Sequence, residues 1–462
     1  MMLGFIADLS TNSSILLIIC LLAICLFEAI NGFHDTANAV ATVIYTKTLP
    51  PIVAVVWSGF WNFLGAMLGG IAVAIGMMKL IPLGDMANTP LNENISMVLA
   101  ILVTAIIWNL GTWYLGIPCS SSHTMIGALL GGGFAYFTVH GGAGPNWDKA
   151  KDVGMSLLIS PLFGFALAIG LMFLLRGLIK KKAIFKSPEE LKKDQVPPMW
   201  IRAILVATCT LVSYFHGNND GQKGVGLLMV VMIAFLPTRF ALAPDFSGAD
   251  TKASVQKIEA AILQAMPSDS LHTAPLAAAC KQMNAQIDTF NSQDKAQVLA
   301  IRKSLQSFNK KMEAATKAEY FPKEAAKVTK AEIKSLQDTY EFRVTWTVLL
   351  IAICLGAGTM VGWKRIVVTI GEKIGKSHLT YAQGASAELC AAATIGVSSY
   401  YGLPVSTTHV LSSGVAGTMV AEGGVKNLQR KTITNIAIAW LLTLPVTFIM
   451  AALFFYLFRI FA

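Results

Sequence analysis

Long apolar stretches separated by short polar ones dominate the chain. Residues 14–30, 52–78, 95–107, 157–175, 201–213, 345–361, 381–401, 410–420 and 436–458 are nearly free of charge. Several reach the ~20 residues that an α-helix needs to cross a bilayer core. The shorter ones are completed by flanking polar residues, if those face protein or water. This pattern predicts nine or ten membrane helices and excludes a soluble fold. One region breaks it. Residues from about 241 to 340 are polar, and Val298, Ile301, Leu305, Phe308 and Met312 recur there at three-four spacing. That spacing predicts soluble helices with one apolar face, as a hairpin or small bundle.

Composition agrees with the pattern: 54% of residues are hydrophobic and only 13% charged, where a soluble domain carries roughly a quarter. No Lys or Arg precedes the first apolar run, so a cleaved signal peptide is not expected. The formal charge of +10 would raise nucleic acid as a partner in a soluble protein. Here the basic residues sit in short loops between apolar runs, so they mark cytoplasmic sides instead. Loop 176–202 holds eight Lys and Arg against three acids, and Lys364, Arg365, Lys373 and Lys376, then Arg430 and Lys431, mark two more such loops. Counting outward from these anchors gives five crossings in each half and both termini outside. An odd number per half places the second half upside down relative to the first. Six of the seven cysteines lie in apolar runs and Cys280 stands alone, which is neither a metal-ligand spacing nor a disulfide framework.

Two motifs recur. Asn31-Gly32-Phe33-His34-Asp35 is echoed 185 positions later by His216-Gly217-Asn218-Asn219-Asp220. Gly116-Ile117-Pro118-Cys119-Ser120-Ser121-Ser122-His123 is echoed 286 positions later by Gly402-Leu403-Pro404-Val405-Ser406-Thr407-Thr408-His409. The polar region accounts for the difference between the offsets, so an internal duplication with one insertion explains both. The expected fold is an all-α integral membrane protein with two inverted repeats of about five segments each, broken or re-entrant helices and a soluble helical insert. The expected divisions are residues 1–176, a basic linker 177–200, residues 201–240, the insert 241–342, and residues 343–462.

The motifs carry the candidate chemistry. Asp35 and Asp220, each in a glycine-bearing motif that interrupts a long apolar stretch, read as mid-membrane acids at broken helices. They are candidates for cation or proton coupling. Lys223 either pairs with Asp220 or attracts an anion. Pro followed by hydroxyl residues reads as a helix start. Such a start presents free N–H groups and partial positive charge. Two of them carrying Ser120, Ser121, Ser122, Ser406, Thr407 and Thr408 would cradle an anion. His123 and His409 are structural or proton-carrying. His34 and His216 are candidate metal or proton contacts, and Glu388 a candidate for ion coupling. Glu28 also lies in an apolar run.

These stretches, together with IGEKIGKSHLTYAQG and NLGTWYLGIPCSSSHTMIGA, resemble the PiT family of inorganic phosphate transporters over nearly the whole chain apart from the insert. The bacterial low-affinity Pit branch is the nearest. The resemblance implies symport of phosphate with a cation across the cytoplasmic (inner) membrane, proton-coupled in that branch, with phosphate taken as a neutral complex with a divalent metal such as magnesium. Sodium drives other branches. Carried over by position, Asp35 and Asp220 become the paired acids. Asn38, Asn219 and Gln222 supply amide contacts, and the six hydroxyl residues line the phosphate pocket. His34 stands where many members have Asn, and Asn62 where sodium-coupled members have an acid; both favour protons. Glu388 points toward sodium. No cofactor is expected, and a homodimer is.

Three rivals stand beside this reading. A permease for sulfate or another tetrahedral anion would use the same cradle. A phosphate-sensing receptor would bind without flux. An intramembrane serine hydrolase needs one nucleophile held by one base, which a duplicated Ser/His set does not provide.

Overall fold

The computed structural model describes residues 9–461 except 82, 84–85, 87–88, 143, 181, 191–196 and 266–269; within helical segments it does not describe the side chains of 36–38, 182, 265, 270 and 271. Seventeen α-helices are described: α1 Thr11–Tyr45, α2 Pro51–Leu68, α3 Ala72–Met78, α4 Leu91–Tyr114, α5 Ser121–His140, α6 Trp147–Leu178, α7 Met199–Phe235, α8 Pro237–Phe240, α9 Gly248–Ala265, α10 Ser270–Asp288, α11 Lys295–Lys317, α12 Lys323–Asp338, α13 Thr345–Thr359, α14 Lys364–Glu372, α15 Tyr381–Tyr400, α16 Thr407–Gly423 and α17 Arg430–Arg459. No β-strand occurs among the described residues. The chain divides into two compact units, one of residues 14–81, 95–228 and 344–462, the other centred on residues 229–343.

In the larger unit α5 packs on α17, α16 on α6, α15 on both α16 and α6, and α2 on α13. Glycine permits the closest approaches. A Cβ at Gly32 of α1 would overlap the Leu355 carbonyl of α13, and one at Gly217 of α7 would overlap the Asn62 carbonyl of α2. These glycines stand 185 positions apart, the offset of the aspartate motifs. Gly131 of α5 abuts the Phe448 carbonyl of α17, and Gly417 of α16 abuts the Phe165 carbonyl of α6; they stand 286 positions apart, the offset of the hydroxyl motifs. Each motif-bearing helix therefore leans on a helix from the other half of the chain. Small residues let backbones meet where lipid offers no hydrophobic drive to association.

Among the described residues six helices are long and apolar enough to cross a membrane: α1, α2, α4, α6, α7 and α17. Counting α13 with α14, bent by 64° at their break, gives seven. Leu158, Leu162, Phe163, Phe173 and Leu174 of α6, and Leu441 and Leu453 of α17, are exposed, as suits helices solvated by lipid. The ten crossings expected from charge are thus not all matched by long apolar helices. The runs at 381–401 and 410–420, now α15 and α16, fall short, as does α5, which would supply the fifth crossing of the first half. Their Gly-, Ala-, Ser- and Thr-rich sequences are buried against protein along most of their length, so they have no need of lipid-like side chains.

A second expectation is corrected. The helices were expected to break at Asp35 and Asp220, yet α1 and α7 run helical straight through both motifs. Gly32 and Gly217 serve close helix contact rather than interruption. The breaks fall elsewhere, between α2 and α3, between α13 and α14, and in the non-helical segments leading into α5 and α16.

In the smaller unit α9, α10, α11 and α12 pack together as a bundle. Val298, Ile301, Leu305, Phe308 and Met312 of α11 are all buried in it. Asp294 starts α11 by accepting hydrogen bonds from the amides of Ala296 (2.8 Å) and Gln297 (3.2 Å).

Candidate anion and cation site

The two hydroxyl motifs build matching helix starts. Ser120 and Ser406 have extended backbones, and their side chains accept hydrogen bonds from the amides of His123 (3.2 Å) and His409 (3.1 Å). Ser121 and Ser122, then Thr407 and Thr408, occupy the first turns and are buried. The two starts meet each other. The His123 and His409 rings lie 4.6 Å apart, and the Ser122 hydroxyl donates to the Val405 carbonyl at 2.8 Å.

Both aspartates face this junction from α1 and α7. Asp35 and Asp220 are 2% and 0% exposed. The Ser121 hydroxyl lies 3.1 Å from Asp35 Oδ2 and 3.3 Å from Asp220 Oδ2, so its single proton serves one carboxylate at a time. Thr407, at 3.5 Å, and Thr408 also donate to Asp35. Residues from four helices and both halves of the chain therefore converge.

His216 completes the group. Its Nδ1 lies 2.6 Å from the Asn62 amide oxygen, which can only accept, so the ring proton belongs there. Nε2 is left facing Asp35 Oδ2 at 3.7 Å and Asp220 Oδ2 at 3.6 Å. One ligand atom from each of Asp35, His216 and Asp220 lies within 4.8 Å of the others, a spacing at which one cation can touch all three. At metal sites a hydrogen bond to one ring nitrogen commonly fixes the tautomer and aims the other nitrogen at the ion. His34 stands to one side, with Nδ1 3.4 Å from Asp35 Oδ1 and Nε2 3.3 Å from the Thr112 hydroxyl.

Lys223 combines the two roles left open by its sequence position. Its Nζ pairs with Asp220 Oδ1 at 2.6 Å. It also donates to the Ser122 hydroxyl and to the Val405 carbonyl, the latter at 3.2 Å. The ammonium thus neutralises an acid while touching the anion cradle.

Other predicted residues are placed apart. The Asn219 amide donates to Leu403 O (3.3 Å) and Ser399 Oγ (2.9 Å) and accepts from Val405 N (3.4 Å), bracing the segment before α16. Gln222 accepts from the amide of Val73 (2.9 Å) at the start of α3. Glu388 is held by the Thr42 and Thr208 hydroxyls, the latter at 2.5 Å, and is fully buried. Asn38 lies outside the described side chains. Sequence reasoning missed Thr112, the Val405 carbonyl and the part of Asn62 in aiming His216. A polar residue inside the apolar run 52–78 was the available signal for Asn62.

Membrane-crossing helices around a buried cluster of two carboxylates, an ammonium and imidazoles define an integral membrane ion transporter. The pattern that defines the phosphate transporter family (PHO4) matches residues 31–451. The chain is 40% identical to the low-affinity inorganic phosphate transporter PitA of Escherichia coli K12, over 96% of this chain and 97% of that one. It is 30% identical to a probable low-affinity inorganic phosphate transporter of Bacillus subtilis 168, over 97% and 98%. A solved structure titled "The sodium-dependent phosphate transporter" matches with a TM-score of 0.54 at 19% identity, covering 97% of this chain and all of that one, a likeness of fold alone. The chain belongs to the phosphate transporter family and is an inorganic phosphate transporter of its Pit group.

Proposed function

We propose that the protein is a symporter of the cytoplasmic membrane that imports phosphate as a complex with a divalent metal, coupled to protons. The observation that carries this reading is the convergence of two hydroxyl-bearing helix starts on Asp35 and Asp220, with Ser121 placed between the acids. Helix starts favour an anion; paired carboxylates repel one. Two unit charges 4 Å apart interact by about 4 kcal/mol at an effective dielectric near 20. A phosphate dianion beside two aspartates therefore needs a cation between them. A divalent metal with hydrogen phosphate enters as a neutral unit and leaves the charge balance among Asp35, Asp220 and Lys223 unchanged.

In this reading Ser120, Ser121, Ser122, Ser406, Thr407 and Thr408 hold phosphate oxygens, and Asp35, Asp220 and His216 hold the cation. Asn219 and Gln222 act through the loops they brace. Residues 1–176 form one repeat and residues 201–240 with 343–462 the other. They are inverted in topology and alternate the access of a midplane site, as the pairwise glycine contacts between halves suggest.

Asp35→Asn and Asp220→Asn should each abolish phosphate uptake while the protein remains in the membrane; full uptake by both would remove the site assignment. Uptake into vesicles under imposed gradients separates the coupling ions. A proton gradient should drive it, with magnesium required and its chelation abolishing flux. A sodium gradient acting alone would favour the sodium reading, for which buried Glu388 is the candidate ligand.

A further inference from the structure

Glu28 is the one fully buried acid of α1 that the site above does not use. It is 0% exposed, and neither carboxyl oxygen has a hydrogen-bond partner among the described residues. It is pressed against α7 one residue beyond Lys223, where a Cβ on Gly224 would overlap Glu28 Oε1. Ile351 of α13 lies against the same glycine. The charged and titratable groups around it are Asp220 and Lys223 of α7, Cys25 of its own helix and Cys354 of α13; the Asn31 amide is near but outside hydrogen-bond geometry.

An ionised Glu28 would be a charge without a counter-ion, because the ammonium beside it is already engaged. Lys223 is spent on Asp220, Ser122 and Val405. Burying an uncompensated carboxylate is costly, and such groups take up a proton instead.

We propose that Glu28 is the carrier of the coupling proton, and that it is linked to phosphate through competition for Lys223. This deepens the proton-symport reading above and rests on it. With Glu28 protonated, Lys223 is confined to Asp220 and the anion cradle, the arrangement described here, and its charge serves phosphate. When Glu28 releases its proton to water, the new carboxylate draws the Lys223 ammonium toward α1 and away from Ser122. The cradle then loses its ammonium and phosphate leaves. Proton and phosphate are thereby bound together and released together, as symport requires. Positive linkage of this kind is reciprocal, so each ligand raises the affinity for the other by the same factor. Glu28 itself touches neither phosphate nor the metal.

The test uses the full chain in proteoliposomes, with wild type, Glu28→Gln and Glu28→Asp assayed for two activities. The first is accumulation of labelled phosphate, with magnesium present, under an imposed proton gradient. The second is exchange of internal for external phosphate without a gradient, which needs no net proton movement. Wild type should do both. Glu28→Gln, fixed in the neutral state, should exchange phosphate but lose at least ten-fold in accumulation, and its exchange should lose the pH dependence that wild type shows beyond that of phosphate itself. Glu28→Asp should recover part of the accumulation. Gradient-driven accumulation by Glu28→Gln at the wild-type level would overturn the assignment. So would loss of exchange as well as accumulation with the protein present in the membrane, because Glu28 would then be needed for binding or folding. If wild type itself fails to respond to protons, the proton-symport reading falls, and that result is distinct from either outcome for the variants.

Discussion

Replacing Lys223 by methionine removes a charge while nearly conserving volume, so packing changes little. What changes is Asp220. It is fully buried, and its pairing with Lys223 at 2.6 Å is the only contact with a permanent cation that it makes among the described residues. The remaining neighbours are a serine hydroxyl shared with Asp35 at 3.3 Å and an imidazole at 3.6 Å. Breaking a buried pair by deleting one partner costs about 3–5 kcal/mol, whereas replacing both by neutral groups is often close to neutral. Lys223→Met should therefore destabilise the protein by about 3–5 kcal/mol, and Lys223→Met with Asp220→Asn should return to within roughly 1–2 kcal/mol of wild type. Denaturant unfolding in detergent, followed by tryptophan fluorescence, measures all three proteins. Neither variant should transport phosphate, so stability and flux separate in the double variant. A Lys223→Met protein as stable as wild type, or a double variant less stable than Lys223→Met, would refute the claim that Lys223 neutralises Asp220.

Gly32→Val and Gly217→Val should each destabilise by about 1–3 kcal/mol or more through overpacking, and by similar amounts, since each meets a backbone carbonyl of the other half; unfolding midpoints read this, and a neutral result at either position would contradict the packing. Asn62→Ala frees His216 Nδ1 and should raise the magnesium concentration for half-maximal uptake by about 10–100-fold, the usual penalty for losing an orienting partner; an unchanged magnesium requirement would separate Asn62 from the site. In the insert, Cys280 is fully buried, and burial pushes its thiol up from 9.0 to about 12. The folded state therefore holds its proton between those values while the unfolded chain loses it, so this contribution to stability is complete below pH 9 and declines toward pH 12. Maleimide should leave Cys280 unlabelled at pH 8 in native protein and label it after denaturation, as peptide mass mapping would show; rapid native labelling would contradict the burial.

The parts of the site that were legible in the sequence are those whose chemistry is local. Carboxylates at 35 and 220 stand out in apolar surroundings, and Pro-x-Ser before a glycine-rich run reads as a helix start whatever packs on it. The recurrence of the motifs was legible because their two offsets are reconciled by one insertion. What tertiary neighbours decide was not legible. Gly32 and Gly217 fit a break or a close contact equally well, and only the carbonyls of Leu355 and Asn62 select contact. The amides of Asn219 and Gln222 suit a phosphate as well as they suit the backbone of Leu403 and Val73, which they actually bind. Hydropathy could not tell α5, α15 and α16 from lipid-facing spans, because burial inside a helical bundle relaxes the need for large apolar side chains. Lys223 was undecidable between acid and anion because its ammonium reaches both.

The most direct measurement is a structure of the protein with phosphate and magnesium bound. Phosphate is predicted within hydrogen-bond reach of Ser121, Ser122, Thr407 and Thr408, with the metal between it and the carboxylates of Asp35 and Asp220. Phosphate seated instead in the basic surface cavity of about 650 Å³ lined by Trp113, Lys364, Arg365 and Lys373, with both helix starts unliganded, would contradict it.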